Sequence, residues 1–520
     1  MYLKTLSCFA MPISKTEPLI RLILSLTKAE KRNFKLYVRK IQQEGALKFL
    51  QLFDLLEKNI QATENTLLQK LELETKSQFS SSKRHLYQHI LTSLRLLYNN
   101  KSLDIRIREL TDFATILYRK NLYLEALQLL NKAKQLARKS HKDHLHLEIV
   151  EFEKKIESRH ITRASTERIY DLTDEAKSRK KVISNVTDLS NLKLRLQRLF
   201  INKGHTREES DNQQLILFFN SLLPTNLLDE PTFFERVYLN QSYFWLHYCM
   251  LDFDTCSDYA KKWVDLFKAE PDMINKDLEI YLRGLHYLLV IAFCRRDQNT
   301  FIRIFKDLEE CGQSLQTDWT QITETQYALF KINAQLNYYL LLPSTNYTAS
   351  DISQMLKTLD QFHVRVDPHK TMILYYKIAH LHFRNGQTDK AIDFLNNILN
   401  HPGKQLRDDL ELYTRLSLII AHYDQDNDIV ADYLLNTTQR FFQKLPELNQ
   451  TPKHILQLLK KIMQLDPRRA REEMQNCLMD IEVLAQNPYE KRAFVFLDIR
   501  PWLKSHIQQK DLTEIIAEAY

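Results

Sequence analysis

The sequence predicts an all-α protein, and three observations carry that reading. Glycine supplies only 6 of 520 residues, against a usual ~7%. A chain so poor in glycine builds few tight hairpins or phosphate-cradling loops, which excludes a dinucleotide-binding α/β domain, a P-loop ATPase and most β-rich folds. Leu, Lys, Gln and Glu dominate instead, and these are strong helix formers. Finally, no proline occurs between Pro18 and Pro224, so no residue in that stretch lacks an amide donor. Apolar residues make up 44% and charged residues 27% of the chain, enough apolar material for a substantial buried core.

The elements follow in order. Residues 1–17 are expected to form a disordered N-terminus and 18–100 an N-terminal helical domain. Thr27-Lys28-Ala29-Glu30 fits a capping box, in which the Thr27 hydroxyl accepts from the Glu30 amide and the Glu30 side chain reaches back. The helix that follows places Phe34, Tyr37, Val38 and Ile41 on one face. A second helix is expected from Ala46 to Asn59 and a short third from Thr66 to Leu73. A serine-rich link, Ser77 to Ser82, leads to a fourth helix with Leu86, Ile90, Leu94 and Leu97 as its stripe. The short third helix and the basic start of the fourth (Lys83, Arg84) admit a helix-turn-helix reading, with those two side chains on phosphates.

A repeating grammar begins near residue 101. Tyr375, Ile378, Ala379, His382, Gly386, Ala391, Leu395 and Ile398 are spaced as a helical hairpin, with Arg384 to Gln387 as its turn and small residues where two helices cross. Four further windows follow the spacing less closely. One has Leu110, Phe113, Ala114, Leu117 and Ala126. The next has Tyr243, Leu246, His247, Met250, Tyr259 and Trp263, closed by Pro271. The others have Leu285, Leu288, Leu289, Ala292 and Phe301, then Leu418, Ile419, His422, Ala431 and Leu435. Residues 101–223 are expected as a first helical-repeat block, 224–445 as a second and 446–520 as a C-terminal helical cap, with the link Leu222–Pro231 as the break. Between the first two windows, the polar stretch Arg163–Phe200 reads as the second helix of a long hairpin. In the tail, Ala493 to Ile499 reads as more β-like, a strand or extended segment folding back over the last repeat with Trp502 as its anchor.

These windows resemble a divergent tetratricopeptide repeat, with units nearer 40 than 34 residues. The resemblance implies a right-handed α-α superhelix, a TPR-like solenoid whose inner groove binds a peptide or protein partner. Carried over position by position, it assigns the groove to Arg108, Thr111, Thr115 and Tyr118; to Gln241, Phe244, Tyr248 and Leu251; to Arg283, His286, Val290 and Phe293; to Ile373, Tyr376, His380 and Phe383; and to Tyr413, Leu416, Ile420 and Tyr423. The expected partner contacts among them are Arg108, Tyr118, Gln241, Tyr248, Arg283, His286, Tyr376, His380, Tyr413 and Tyr423, whose side chains combine large contact area with a polar tip.

The net charge of +8 hides an asymmetry. Residues 1–203 carry 39 Lys+Arg and 22 Asp+Glu, a balance of +17, and residues 204–520 carry 34 and 43, a balance of −9. A basic half attracts acidic partners or nucleic acid. The six cysteines form no C-x-x-C pair and are expected as reduced, buried thiols. No run reaches the ~18 apolar residues of a membrane span, the N-terminus is too short and broken for a signal peptide, and a cytoplasmic location is expected. His85 and His89 lie four apart, and His141, His144 and His146 cluster near Asp143, but neither group has the ligand count of a metal site. No catalytic motif is present. The sequence thus points to a non-enzymatic binding scaffold without metal or cofactor. Its alternative is a sensor-regulator whose basic N-terminal domain contacts DNA under control of the repeats.

Overall fold

The computed structural model describes residues 17–41, 46–58, 70–71, 75–99, 101–225, 227, 230–314, 319–342, 347–362, 366–401, 408–445 and 449–519. Among these residues the protein is all-α, with twenty-five α-helices, one 3-10 turn and no strand. Neighbouring helices pack against one another in sequence, as in a helical solenoid. Contacts cluster into two compact units, 1–180 and 181–520.

The first unit opens with α1 (Glu17–Ser25), α2 (Lys28–Ile41), α3 (Ala46–Lys58) and α4 (Lys76–Tyr98). The expected capping box starts α2: Thr27 N donates to Glu30 (2.6 Å) and Glu30 N to the Thr27 hydroxyl (3.2 Å). Phe34, Val38, Phe53, Leu86 and Ile90 share one core. The serine-rich stretch 77–82 is not a link. It forms the first turns of α4, because Thr75 and Gln78 cap each other's backbone and start the helix before the serines. The expected short helix at 66–73 and the expected disordered N-terminus fall largely outside the described residues.

Three further helices complete the unit: α5 (Leu103–Arg119), α6 (Tyr123–Lys139) and α7 (Asp143–Arg159). Ala114 and Ala126 are fully buried where α5 crosses α6. A charged network joins the last elements. Glu153, 1% exposed, takes Lys134 at 2.6 Å and Arg168 at 3.3 Å, and Glu175 takes Lys134 at 3.2 Å and His146 at 2.8 Å. Arg168 and Glu175 lie on α8 (Thr166–Lys203), whose 38 residues contain the division between units.

The second unit contains the rest of α8 and the helices α9 (Glu209–Leu222), α10 (Phe233–Cys249), α11 (Phe253–Ala269), α12 (Asp272–Lys276), α13 (Leu278–Cys294), α14 (Gln298–Ser314), α15 (Gln321–Leu341) and α16 (Ala349–Phe362). It continues through α17 (Pro368–Arg384), α18 (Thr388–Leu399), α19 (Asp408–Tyr423), α20 (Asp428–Phe442), α21 (Gln450–Ile462) and α22 (Pro467–Leu484). The 222–231 link lies inside this unit, with Asn185 bonded to Glu235 (2.7 Å) and Ser242 to the Leu189 carbonyl (3.1 Å) on its two sides.

The tail ends in α23 (Lys491–Phe496), α24 (Arg500–Gln508) and α25 (Leu512–Ala519). The run 493–499 is therefore no strand. Its first half is helical, Leu497 is extended (φ −140°, ψ 95°) and Ile499 is already helical in conformation (φ −75°, ψ −14°). It has no strand edge to pair with, since it packs on helices, so the β-rich composition of Phe494, Val495 and Phe496 goes into side-chain contacts with two separate cores instead.

Hairpin turns recur in one form. Asn121, His141, Leu251, Arg296, Gly386 and Asp426 all take a left-handed conformation, and only one of them is glycine. In each case the next residue's amide returns to a carbonyl five residues back: Leu122 to Leu117 (3.0 Å), Lys142 to Ala137 (2.9 Å), Asp252 to His247 (3.0 Å), Asp297 to Ala292 (2.9 Å), Gln387 to His382 (2.9 Å) and Asn427 to His422 (3.0 Å). This is a Schellman closure. It reconciles a glycine-poor chain with many tight turns, since five turns accept a strained residue in return for satisfied helix ends.

Candidate binding face

The turns fix the register of the hairpins. With the left-handed residue counted as position 15, four of the five windows stand where the spacing put them. The window at Tyr243 does not. Its turn residue is Leu251, so the expected register was three residues too late. The cause is aromatic: Tyr243 and Tyr259 stack at 4.7 Å and imitate a crossing pair. The true crossing pairs Phe244 with Cys256, whose Sγ donates to the Phe244 carbonyl (3.5 Å). In the corrected register Gln241, Trp245 and Tyr248 take the positions that the repeat assigns to its groove, Phe244 is core, and Leu251 is the turn itself.

In the first unit Arg108 is exposed, while Tyr118 is half-buried, edge-on to Phe152 and accepting from Arg159 (3.4 Å). In the second unit Gln241 is buried. Tyr248 packs with Phe200, Trp245 and His205, and the His205 ring lies 2.7 Å from the Tyr248 carbonyl. His286 stacks flat on Phe330 at 4.0 Å. His380 lies 4.4 Å from the Tyr376 ring and 3.5 Å from the Ser417 hydroxyl.

The tail folds back much further than over the last repeat, and it covers part of this face. Tyr489 donates to Glu209 (2.7 Å) on α9. Asp498 pairs with Arg296 (2.7 Å) at the turn after α13. Phe496 stacks on Tyr413 at 5.1 Å, and its carbonyl accepts from Tyr376 (3.1 Å). Trp502, 4% exposed, is an anchor as expected: its indole donates to Asp424 (2.9 Å), and its ring meets Tyr423 at 5.9 Å. One stretch from 489 to 502 thus reaches the start of α9, the turn after α13, and side chains of α17 and α19. Tyr376, Tyr413 and Tyr423 are covered there by the chain itself.

Two cavities flank the covering segment. One of about 130 Å³ lies among His380, Phe383, Ile420, Leu497 and Trp502. The other, about 530 Å³, is lined by Phe253, Phe293, Arg296, Phe494 and Arg500.

Basic side chains stand partly buried elsewhere in the second unit. Burial, reinforced by nearby Arg283, brings Lys193 down to about 8. Burial also brings Lys377 down to about 8, although its Nζ donates to Asn333 and Asn337 (2.6 Å each) and sits 5.5 Å from the Phe293 ring. His286 falls to about 3 through burial and then through Lys377, Lys370 and Arg283. Burial lowers His380 to about 4. Among the described residues no group of three or more His, Cys, Asp or Glu side chains is arranged to hold a metal ion. The five described cysteines are free, and burial raises their thiols. No described helix is long and apolar enough to cross a membrane.

Sequence reasoning missed Trp245, Lys193, Lys370, Lys377 and the amides Asn333 and Asn337. Helix α15, which supplies both amides, matched none of the five windows. Searches against models of known protein families, curated proteins and solved structures found no match for the chain.

Proposed function

We propose that the protein is a non-enzymatic binding protein, a tetratricopeptide-like array whose second unit receives an extended peptide segment of a cytoplasmic partner along its inner wall. The observation that carries this reading is the seat of the tail. Its residues 489–502 run over groove positions of two hairpins, with aromatic stacking by Phe496 and a backbone carbonyl held by Tyr376. A wall that accepts one peptide stretch through rings and backbone contacts has the chemistry to accept another. The groove positions Gln241, Trp245, Tyr248 and His286 extend the reading along the array, and the cytoplasmic placement accords with the unpaired cysteines.

Selection from a random peptide display library tests the reading. Selected peptides are expected to bind the intact protein in the micromolar range, on the order of −8 kcal/mol, and to lose about tenfold or more with Trp245→Ala or Tyr248→Ala. Failure to select any peptide, or affinities indifferent to both substitutions in folded protein, overturns it.

A further inference from the structure

We infer that the uncovered inner wall of the second unit is a site for a multiply charged oxyanion, a phosphate or polycarboxylate group of a ligand, held among Lys193, Arg283, Lys370 and Lys377. The inference deepens the reading above and rests on this wall being a ligand face.

Four cationic side chains come from three helices, α8, α13 and α17. Each acts on, or is acted on by, another of the four or acts on His286. Arg283 acts on Lys193 and on Lys370, and Arg283, Lys370 and Lys377 all act on His286. No Asp or Glu among the described residues forms an ion pair with any of the four, Asp367 acting on Lys370 only from beyond ion-pair distance, whereas cations elsewhere in the protein are widely paired, as Lys134, Arg179 and Arg415 are. The acceptors Lys377 does have, Asn333 and Asn337, are neutral and leave its charge uncompensated.

Like charges gathered on a partly desolvated wall oppose folding. They are tolerated where a ligand of opposite charge binds. Two further groups lack an internal partner. Asn337, fully buried, holds Lys377 with its oxygen while its amide nitrogen makes no hydrogen bond, and His286 Nδ1 is buried and equally unpaired. Lys193 also lies 5.0 Å over the Tyr238 ring, a contact that holds the ammonium in place without neutralising it. One carboxylate would cancel one of four charges, so the set suits a group that carries several.

The test is isothermal titration and thermal melting of the full chain with inorganic tripolyphosphate and, separately, citrate. Saturable binding of one ion per chain is expected, with a rise in melting temperature that fades at high salt. Arg283→Gln and Lys377→Gln are each expected to weaken binding about tenfold or more, while Lys306→Gln, on an exposed helix face, leaves it unchanged. Without ligand, Arg283→Gln is expected to melt no lower than the parent protein, because it removes repulsion. Preference for tripolyphosphate or for citrate assigns the phosphoryl or the carboxylate source. Absence of binding to both ions, binding indifferent to the two inner substitutions, or an Arg283→Gln protein that melts lower overturns the inference. A negative result here leaves the peptide selection standing, since that assay depends on Trp245 and Tyr248.

Discussion

The ring of Tyr413 lies nearly parallel to that of Phe496, 4° apart in plane and 5.1 Å between centres, although 83 positions separate them in the chain. This pair closes the tail over the inner wall. Phe496→Ala is expected to cost about 2 kcal/mol, less than a fully buried phenylalanine because the ring is half-buried. Urea denaturation measures it. The same variant should bind selected peptides more tightly if they compete with the tail for Tyr376 and Tyr413, and a loss of stability below ~0.5 kcal/mol would show that the stacking is incidental.

In the first unit, Lys134 neutralises Glu153, which is 1% exposed. Lys134→Met should leave that carboxylate with only Arg168 at 3.3 Å and cost about 3 kcal/mol. The double variant Lys134→Met/Glu153→Leu should recover most of the loss. If the double variant is no more stable than the single one, the buried charge is not the cause.

The carboxyl of Glu175 is held down to about 2 by the His146 hydrogen bond and by Lys134, against burial. Its folded value lies below the unfolded value of 4.5. The stability it contributes is therefore complete above pH 4.5 and is lost as pH falls from 4.5 toward 2. Stability curves of the parent protein and Glu175→Gln should converge across that window. Parallel curves from pH 6 to pH 2 would contradict the assignment.

Gly386 sits at φ +70° with open space where a Cβ would project. Gly386→Ala should cost about 1 kcal/mol through backbone strain alone, and Gly386→Asn less, because asparagine tolerates the left-handed region. Equal losses for both, read by thermal melting, would point to packing rather than conformation.

Much of the fold was legible because hairpin packing is local. Ala379 and Ala391 cross as their spacing implies, and the Thr27–Glu30 cap is written in four consecutive residues. The Tyr243 window misled because a stacked tyrosine pair has the same separation as a crossing pair. The basic wall stayed hidden for another reason. Lys193, Arg283 and Lys377 belong to separate helices, and nothing local in any of those helices tells that Arg283 acts on Lys193 or that Arg283 and Lys377 act on the same histidine. The fold-back of the tail was legible in part, through Trp502, but its reach to Tyr489–Glu209 was not.

That reach also bears on kinetics. Adjacent hairpins need only short loops to close, whereas the tail joins residues more than 200 positions apart, Asp498 with Arg296 and Tyr489 with Asn212. The entropy of closing so long a loop is met only once the intervening hairpins have compacted it. Clasping should thus be the last and slowest event of folding, and it should be the first to reopen when the molecule is strained.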